Sequence, residues 1–261
     1  MKSLYALAAT VTVSAALLSG CHGTSESADN ISTITIGATG QSYPSSFRQD
    51  GKLTGFDVDV AQTIADNLHY KVTWVTADFS GLMGQLEAKK LDTIANVVAI
   101  NPARQERYNF SAPYSYFESQ LVTHKDNVNI NTIEDLKGKN VAAVLGSAQL
   151  TKLNKLCADG SAHIRTYETR DAAMADTVKN QVAGYINSRP ILLATIRHNH
   201  LPFKLVGEPF MPETIAFPFQ KNARGDRLRE QFSAELERMR ADGRLKAISE
   251  KYYGEYITYA K

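Results

Sequence analysis

The chain has 261 residues, of which 29 are lysine or arginine and 27 aspartate or glutamate, giving a net charge of +2. So close a balance, with no lysine-rich run, argues against nucleic acid as a partner. Past Cys21 the one remaining cysteine, Cys157, has no internal disulfide partner, and a single thiol is no metal site.

At the N-terminus Lys2 precedes an uncharged run, from about Leu4 to Leu18, that ends in Leu18-Ser19-Gly20-Cys21. A basic start, a short apolar stretch and small residues before a cut describe a secretory signal over residues 1–20. The run contains serine and threonine and is short for a spanning helix, which needs about 20 mainly apolar residues. Leu-Ser-Gly-Cys resembles the lipobox of bacterial lipoproteins, which implies cleavage before Cys21 and lipid on its sulfur and amine. The other reading is a plain secretory signal followed by a chance cysteine. Acyl chains contribute about 0.8 kcal/mol per buried methylene, so several together hold a soluble domain at a membrane surface. Residues 21–30 read as a flexible tether. No later segment is apolar enough to span a bilayer.

From Ile34 the pattern alternates strand and helix. ITIGA (34–38) predicts a strand and GKLTG (51–55) a turn. Phe56, Val60, Ile64 and Leu68 recur at helical spacing, with Asp57 and Asp59 in the first turn, where the helix dipole favours them. KVTWV (71–75) alternates as a strand, and Ser80 is placed to cap a helix carrying Leu82, Met83 and Leu86. LDTIANVVAI (91–100) reads as a strand covered on both faces. This β-α-β-α-β order implies a mainly parallel sheet with right-handed crossovers.

The pattern restarts with LVTH (121–124) as a strand and Thr132 to Asp135 as a capping signal for a short helix that stops at Gly138. NVAAVL (140–145) is a buried strand, Gly146-Ser147-Ala148 opens a helix, and Cys157 reads as a half-buried small residue of a helix. AGYIN (183–187) is a strand, Ser188-Arg189-Pro190 opens another helix, and FKLV (203–206) is a further strand. IAFPF (215–219) is extended, and Leu228, Phe232, Leu236 and Met239 form a helical stripe, followed by a shorter amphipathic helix at 244–253. Two α/β units and a terminal helical pair give a discontinuous first lobe, residues 31–117 and 217–261, around a second lobe, residues 118–216.

The six histidines form no metal-ligand pair on a helix face and read as solvated surface residues. There is no nucleophile elbow, phosphate loop or dinucleotide fingerprint, so no cofactor is expected. What remains is strand-to-helix turns, since open parallel sheets bind ligands beyond the carboxyl ends of their strands. Gly146-Ser147-Ala148 follows an apolar strand and would offer an anion free N–H groups and a hydroxyl. It is equally an ordinary turn with Ser147 as cap.

In the second such turn Asn101 is an N-cap and Pro102 suits the first helical position. Arg104 then sits where the partial positive charge of the helix start disfavours a cation. A guanidinium there can hold a carboxylate through two parallel hydrogen bonds, with the backbone at Val97–Ala99 adding donors. The alternative is an exposed arginine paired with Glu106 or Glu118. Tyr43 and Phe79 stand where cleft aromatics would, whereas Phe47 and Phe56 suit the core.

Several motifs occur in order: Ser42-Tyr43-Pro44, GKLTGFDVD (51–59), LMGQLEAKKLD (82–92), Ile100 to Arg104, FSAPY (110–114), DLKGK (135–139) with Gly146, and Asp242-Gly-Arg-Leu with Lys251-Tyr-Tyr-Gly254. In this order, over residues 31–256, they resemble the polar amino-acid family of bacterial solute-binding proteins, which feed ABC importers. The resemblance implies a type II periplasmic-binding-protein fold. That fold is α/β with two lobes, each a mainly parallel sheet flanked by helices, joined by hinge crossovers at about 116–120 and 212–217. It implies a monomeric, extracytoplasmic receptor that captures an amino acid by lobe closure and delivers it to a membrane permease. The family's carboxylate-binding arginine matches Arg104, its preceding donors match Val97 and Ala99, its second-lobe turn matches Ser147-Ala148, and its aromatics match Tyr43 and Phe79. Asn96, where relatives often have serine or glycine, is similar to members that bind cystine or cysteine.

One position departs from the family. The aspartate that binds the ligand's α-ammonium is replaced by Ser188. Either another acid serves, with Glu118 and Glu213 near the crossovers as candidates, or the amine is held weakly, and Ser188 only caps the helix at Pro190. Two rival functions stand beside the receptor: a dehydratase of cyclic carboxylic acids on the same scaffold, which needs a general acid such as Glu118 or Glu213, and a surface adhesin.

Overall fold

One plan is built twice in the computed structural model, which describes residues 33–258. The expected signal, the lipid site at Cys21 and the tether lie outside the described residues. The first unit runs β1 (Thr33–Ala38), a meander of β2 (Gln41–Ser42), β3 (Ser46–Gln49) and β4 (Lys52–Thr54), α1 (Phe56–Asn67), β5 (Lys71–Thr76), α2 (Phe79–Glu87) and β6 (Thr93–Ile94). Its parallel sheet has the order β5-β1-β6. After α3 (Pro102–Arg107) and β7 (Tyr108–Phe110), the chain leaves through β8 (Ser115–His124).

The second unit runs β9 (Asn140–Val144), α4 (Ala148–Leu156), β10 (His163–Tyr167), α5 (Arg170–Val178), β11 (Gly184–Ser188) and α6 (Arg189–Asn199), and the chain returns through β12 (Phe203–Ile215). Its sheet order is β10-β9-β11-β8-β12, with β10, β9 and β11 parallel and the two connecting strands antiparallel. Both parallel sheets therefore place their first strand centrally. Crossovers then leave in opposite directions and open a crevice at the carboxyl ends of the first and third strands.

Back in the first lobe, β13 (Pro218–Gln220) pairs with β7, and α7 (Ala223–Ala241) and α8 (Arg244–Tyr253) complete the chain. The stripe Leu228, Phe232, Leu236 and Met239 is fully buried. Phe232 meets Phe217 edge-on at 5.4 Å, and Phe217 stacks on Tyr114 at 4.4 Å. Burying each such side chain stabilises by roughly 1.5–3 kcal/mol, so the returning segment is held by a shared core. In the second lobe Val141 and Ala143 pack on one face of the sheet and Ala142 and Val144 on the other. That double covering explains why β9 is apolar from Val141 to Val144.

Three local expectations are revised, and two elements went unread. Within residues 91–100 only Thr93–Ile94 is strand; Ile94, Ala95, Val98 and Ala99 are apolar because they are buried while the chain turns at Val97, whose φ is 53°. The turn in GKLTG is confined to Asp50-Gly51, and Lys52–Thr54 pairs with β3. Asp78, not Ser80, caps α2, its Oδ1 accepting the Gly81 N–H at 2.6 Å, because a carboxylate is the stronger acceptor at a helix start. β10 and α5 carried no clear periodic signal: β10 is a largely exposed edge strand, and α5 buries only Ala173, Met174 and Thr177.

Candidate functional site

The residues that follow β1, β6 and β9 converge with the end of β11. Thr39, Asn96-Val97, Ser147-Ala148 and Asn187-Ser188 line one cavity between the lobes, together with Phe79, Ala99, Arg104, Gln149 and Arg170. The predicted site residues from both units are thus brought together, with one exception.

Arg104 is the centre of the first-lobe wall. The Asn101 side chain accepts the Arg104 N–H at 2.9 Å and Pro102 occupies the first turn, as the sequence predicts. Arg104 is 8% exposed, and its guanidinium lies over the Phe79 ring at 5.5 Å. Its Nη1 donates to the Ala99 carbonyl at 2.7 Å and its Nη2 to the Gly146 carbonyl of the second lobe at 3.0 Å. The alternative of an exposed arginine paired with Glu106 or Glu118 is overturned, since both acids are exposed and outside the cavity. Burial lowers the Arg104 pKa to about 10, opposed by the charge of Glu213, so it stays a cation near neutrality.

Beside it, Asn96 is 2% exposed and its Oδ1 accepts from Thr39 N at 3.2 Å, Thr39 Oγ1 at 2.7 Å and the Ser46 hydroxyl. This commits the amide oxygen and leaves the NH2 donor as its remaining polar group. Val97 differs from expectation. Its N–H donates at 2.9 Å to Asp57 Oδ1, away from any ligand, because the left-handed backbone at Val97 turns the amide toward α1. Asp57 is fully buried and also accepts the Tyr114 hydroxyl. Burial pushes its carboxyl from 3.8 up to about 6 in spite of those two bonds.

On the second lobe Ser147 caps α4, its Oγ accepting the Leu150 N–H at 3.0 Å. The N–H groups of Ala148 and Gln149, in the first turn, remain for the cavity as at any helix start. Gly146 has φ 73°, and a Cβ there would lie 3.6 Å from the Ser80 Cβ across the cleft. The glycine provides the backbone turn, whereas a Cβ at that distance would make only an ordinary contact.

Ser188 is fully buried and does not cap α6; its hydroxyl donates to Glu213 Oε2 at 2.8 Å. Glu213 Oε1 accepts from Gln149 Nε2 at 2.7 Å, Ser119 Oγ at 2.8 Å and Lys152 Nζ at 3.2 Å. The side-chain capping reading of Ser188 therefore falls, and of the two candidate acids Glu213 bonds to Ser188, whereas Glu118 is exposed. Tyr43 is the exception among the predicted site residues. It does not line the cavity; its ring stacks on the exposed His198 at 4.0 Å and its carbonyl accepts from Thr195 Oγ1 at 3.4 Å, a contact between lobes. Gln149 and Arg170 escaped sequence reasoning, Arg170 because the helix it opens was itself not recognised.

The family described as bacterial extracellular solute-binding proteins, family 3, matches residues 34–255. The probable amino-acid-binding protein YxeM of Bacillus subtilis is 46% identical over 244 residues, 93% of this chain and 92% of that protein. The putative amino-acid ABC transporter-binding protein PatH of Vibrio harveyi is 37% identical, over 86% of this chain and 90% of its own. The solved structure of a putative L-cystine ABC transporter protein from Listeria monocytogenes superimposes with a TM-score of 0.82 at 26% identity, covering 88% of this chain and 100% of that one.

Proposed function

The chain belongs to the bacterial extracellular solute-binding proteins of family 3, and on that premise we propose that it is a lipid-anchored, monomeric receptor whose lobes close on cystine or cysteine. The coarser activity follows from the family and its relatives: it is an amino-acid-binding protein working with an ABC permease outside the cytoplasmic membrane, and not an enzyme. Anchoring rests on the lipobox at Cys21. Cystine rests on the resemblance around Asn96 and on the Listeria likeness. The lobes take residues 31–117 with 217–261 and residues 118–216. The hinge lies where β8 and β12 pair, Glu118 opposite Pro212.

The observation that carries the reading is the Arg104 guanidinium, buried at the cleft and reaching across it to Gly146. An α-carboxylate entering there replaces carbonyl acceptors with a charged one, and the N–H groups at the start of α4 meet it from the other lobe. Two parallel hydrogen bonds from a guanidinium to a carboxylate are about twice as strong as neutral ones. The ligand's ammonium then meets Ser188 and Gln149, with the charge of Glu213 one side chain behind them.

Mature protein is expected to gain thermal stability with one or a few members of an amino-acid panel that includes cystine, as binding to the native state alone requires. No shift with any member would sink the reading. An Arg104→Ala variant that binds normally would remove the site.

A further inference from the structure

Arg170 is the second cation of the cavity, and the carboxylate reading of Arg104 gives it nothing to do. It opens α5, following Thr169, whose Oγ1 accepts the Ala172 N–H at 3.2 Å. Its Nη1 is buried and has no hydrogen-bond acceptor. It makes no ion pair among the described residues. The acids around it are otherwise occupied or turned away. Asp78 and Glu168 share the cavity lining, but Asp78 caps α2 and Glu168 is exposed; Asp171, next in the chain, feels the Arg170 charge yet makes no ion pair with it among the described residues. Asp57 feels the Arg170 charge across the lobes, yet its Oδ2 also lacks a partner, so the two do not meet. A buried guanidinium N–H without an acceptor is costly, and an anion is what satisfies it. At the end of β11 the wall is uncharged: Ser188, Asn187 and Gln149 line it, and no aspartate stands at the family's ammonium position.

We propose that Arg170 binds a second carboxylate, carried on the ligand's side chain, so that the site selects amino acids ending in a carboxylate-bearing group. Cystine, with an α-carboxylate at each end, is such a ligand; cysteine is not. The proposal rests on the amino-acid reading above and narrows it.

Three ligands test it by calorimetry on the mature chain: L-cystine, S-carboxymethyl-L-cysteine and its neutral amide, S-carbamoylmethyl-L-cysteine. The wild type is expected to bind the two carboxylate-bearing ligands at least tenfold more tightly than the amide. Arg170→Gln is expected to abolish that preference, leaving affinity for the amide within about twofold. Arg170→Lys, which keeps the charge, is expected to keep part of the preference and serves if the glutamine variant does not fold by circular dichroism. A wild type without the preference overturns the proposal, as does an Arg170→Gln variant that weakens all three ligands equally or none. The parent reading fails separately, if the wild type binds no amino acid or if Arg104→Gln leaves every affinity unchanged.

Discussion

The Ser188 hydroxyl donates to Glu213 Oε2 at 2.8 Å, linking the end of β11 to the connecting strand β12. The neutral Ser188 thus lines the cavity, at the place we read as the ammonium's, while a carboxylate stands directly behind it, held by Gln149, Ser119 and Lys152.

Glu213→Gln keeps the size of this side chain and removes its charge. If Glu213 supplies the field that holds the ligand's ammonium, affinity falls about tenfold or more, the scale of a hydrogen bond to a charged group. Adding Ser188→Asp in that background returns a carboxylate to the position and is expected to restore most of the loss. Ser188→Asp alone sets two carboxylates side by side, which raises the pKa of one of them, and gains little. Calorimetry on the four proteins forms the cycle; independent, additive effects would refute the coupling.

Gly146→Ala tests the other side of the cleft. With φ 73° the backbone strain of an alanine costs roughly 1 kcal/mol. The added Cβ meets Ser80 at 3.6 Å, an ordinary contact. The variant is expected to lose a few degrees of melting temperature while affinity changes only a few-fold. A large affinity loss at unchanged stability would show that the lobes meet here more tightly than these distances allow.

Most strands and helices and the opposed turns were legible because burial imposes a period, as in the α7 stripe and the apolar run Val141–Val144 of β9. Arg104 was legible from a local conflict, a cation at a helix start. The misreadings share a cause. Ile94, Ala95, Val98 and Ala99 are apolar through tertiary burial around an irregular backbone, which periodicity cannot distinguish from a strand. Ser188 and Glu213 meet only because β8 lies between β11 and β12, and that adjacency has no local signal. Tyr43 has the composition of a cleft aromatic, but the second lobe's His198 claims its face.

Asp57 makes stability depend on pH. Its folded pKa, about 6, lies above the unfolded 3.8, so between these values the native state holds a proton that the unfolded chain has released. Its contribution is therefore greatest in acid and declines as pH rises through 6, by roughly 3 kcal/mol in all. Asp57→Asn keeps an acceptor for Val97 and Tyr114 and does not titrate. In urea melts the variant is expected to gain about 2 kcal/mol on the wild type between pH 4.5 and pH 7. Parallel pH profiles would refute the assignment.

Tyr43→Ala separates lobe contact from ligand contact. The ring stacks on His198 at an interplanar angle of 14° and stands outside the cavity that Arg104, Asn96 and Ser188 line. Its loss removes a contact between the lobes, and closure is a two-state equilibrium whose bias multiplies every ligand's apparent affinity by the same factor. An aromatic contact of this kind is worth about 0.5–1.5 kcal/mol beyond area burial, so all affinities are expected to fall by about two- to tenfold in parallel. The ranking of amino acids stays unchanged. A variant that reorders the panel, or weakens one ligand and spares the others, would put Tyr43 back into the binding site.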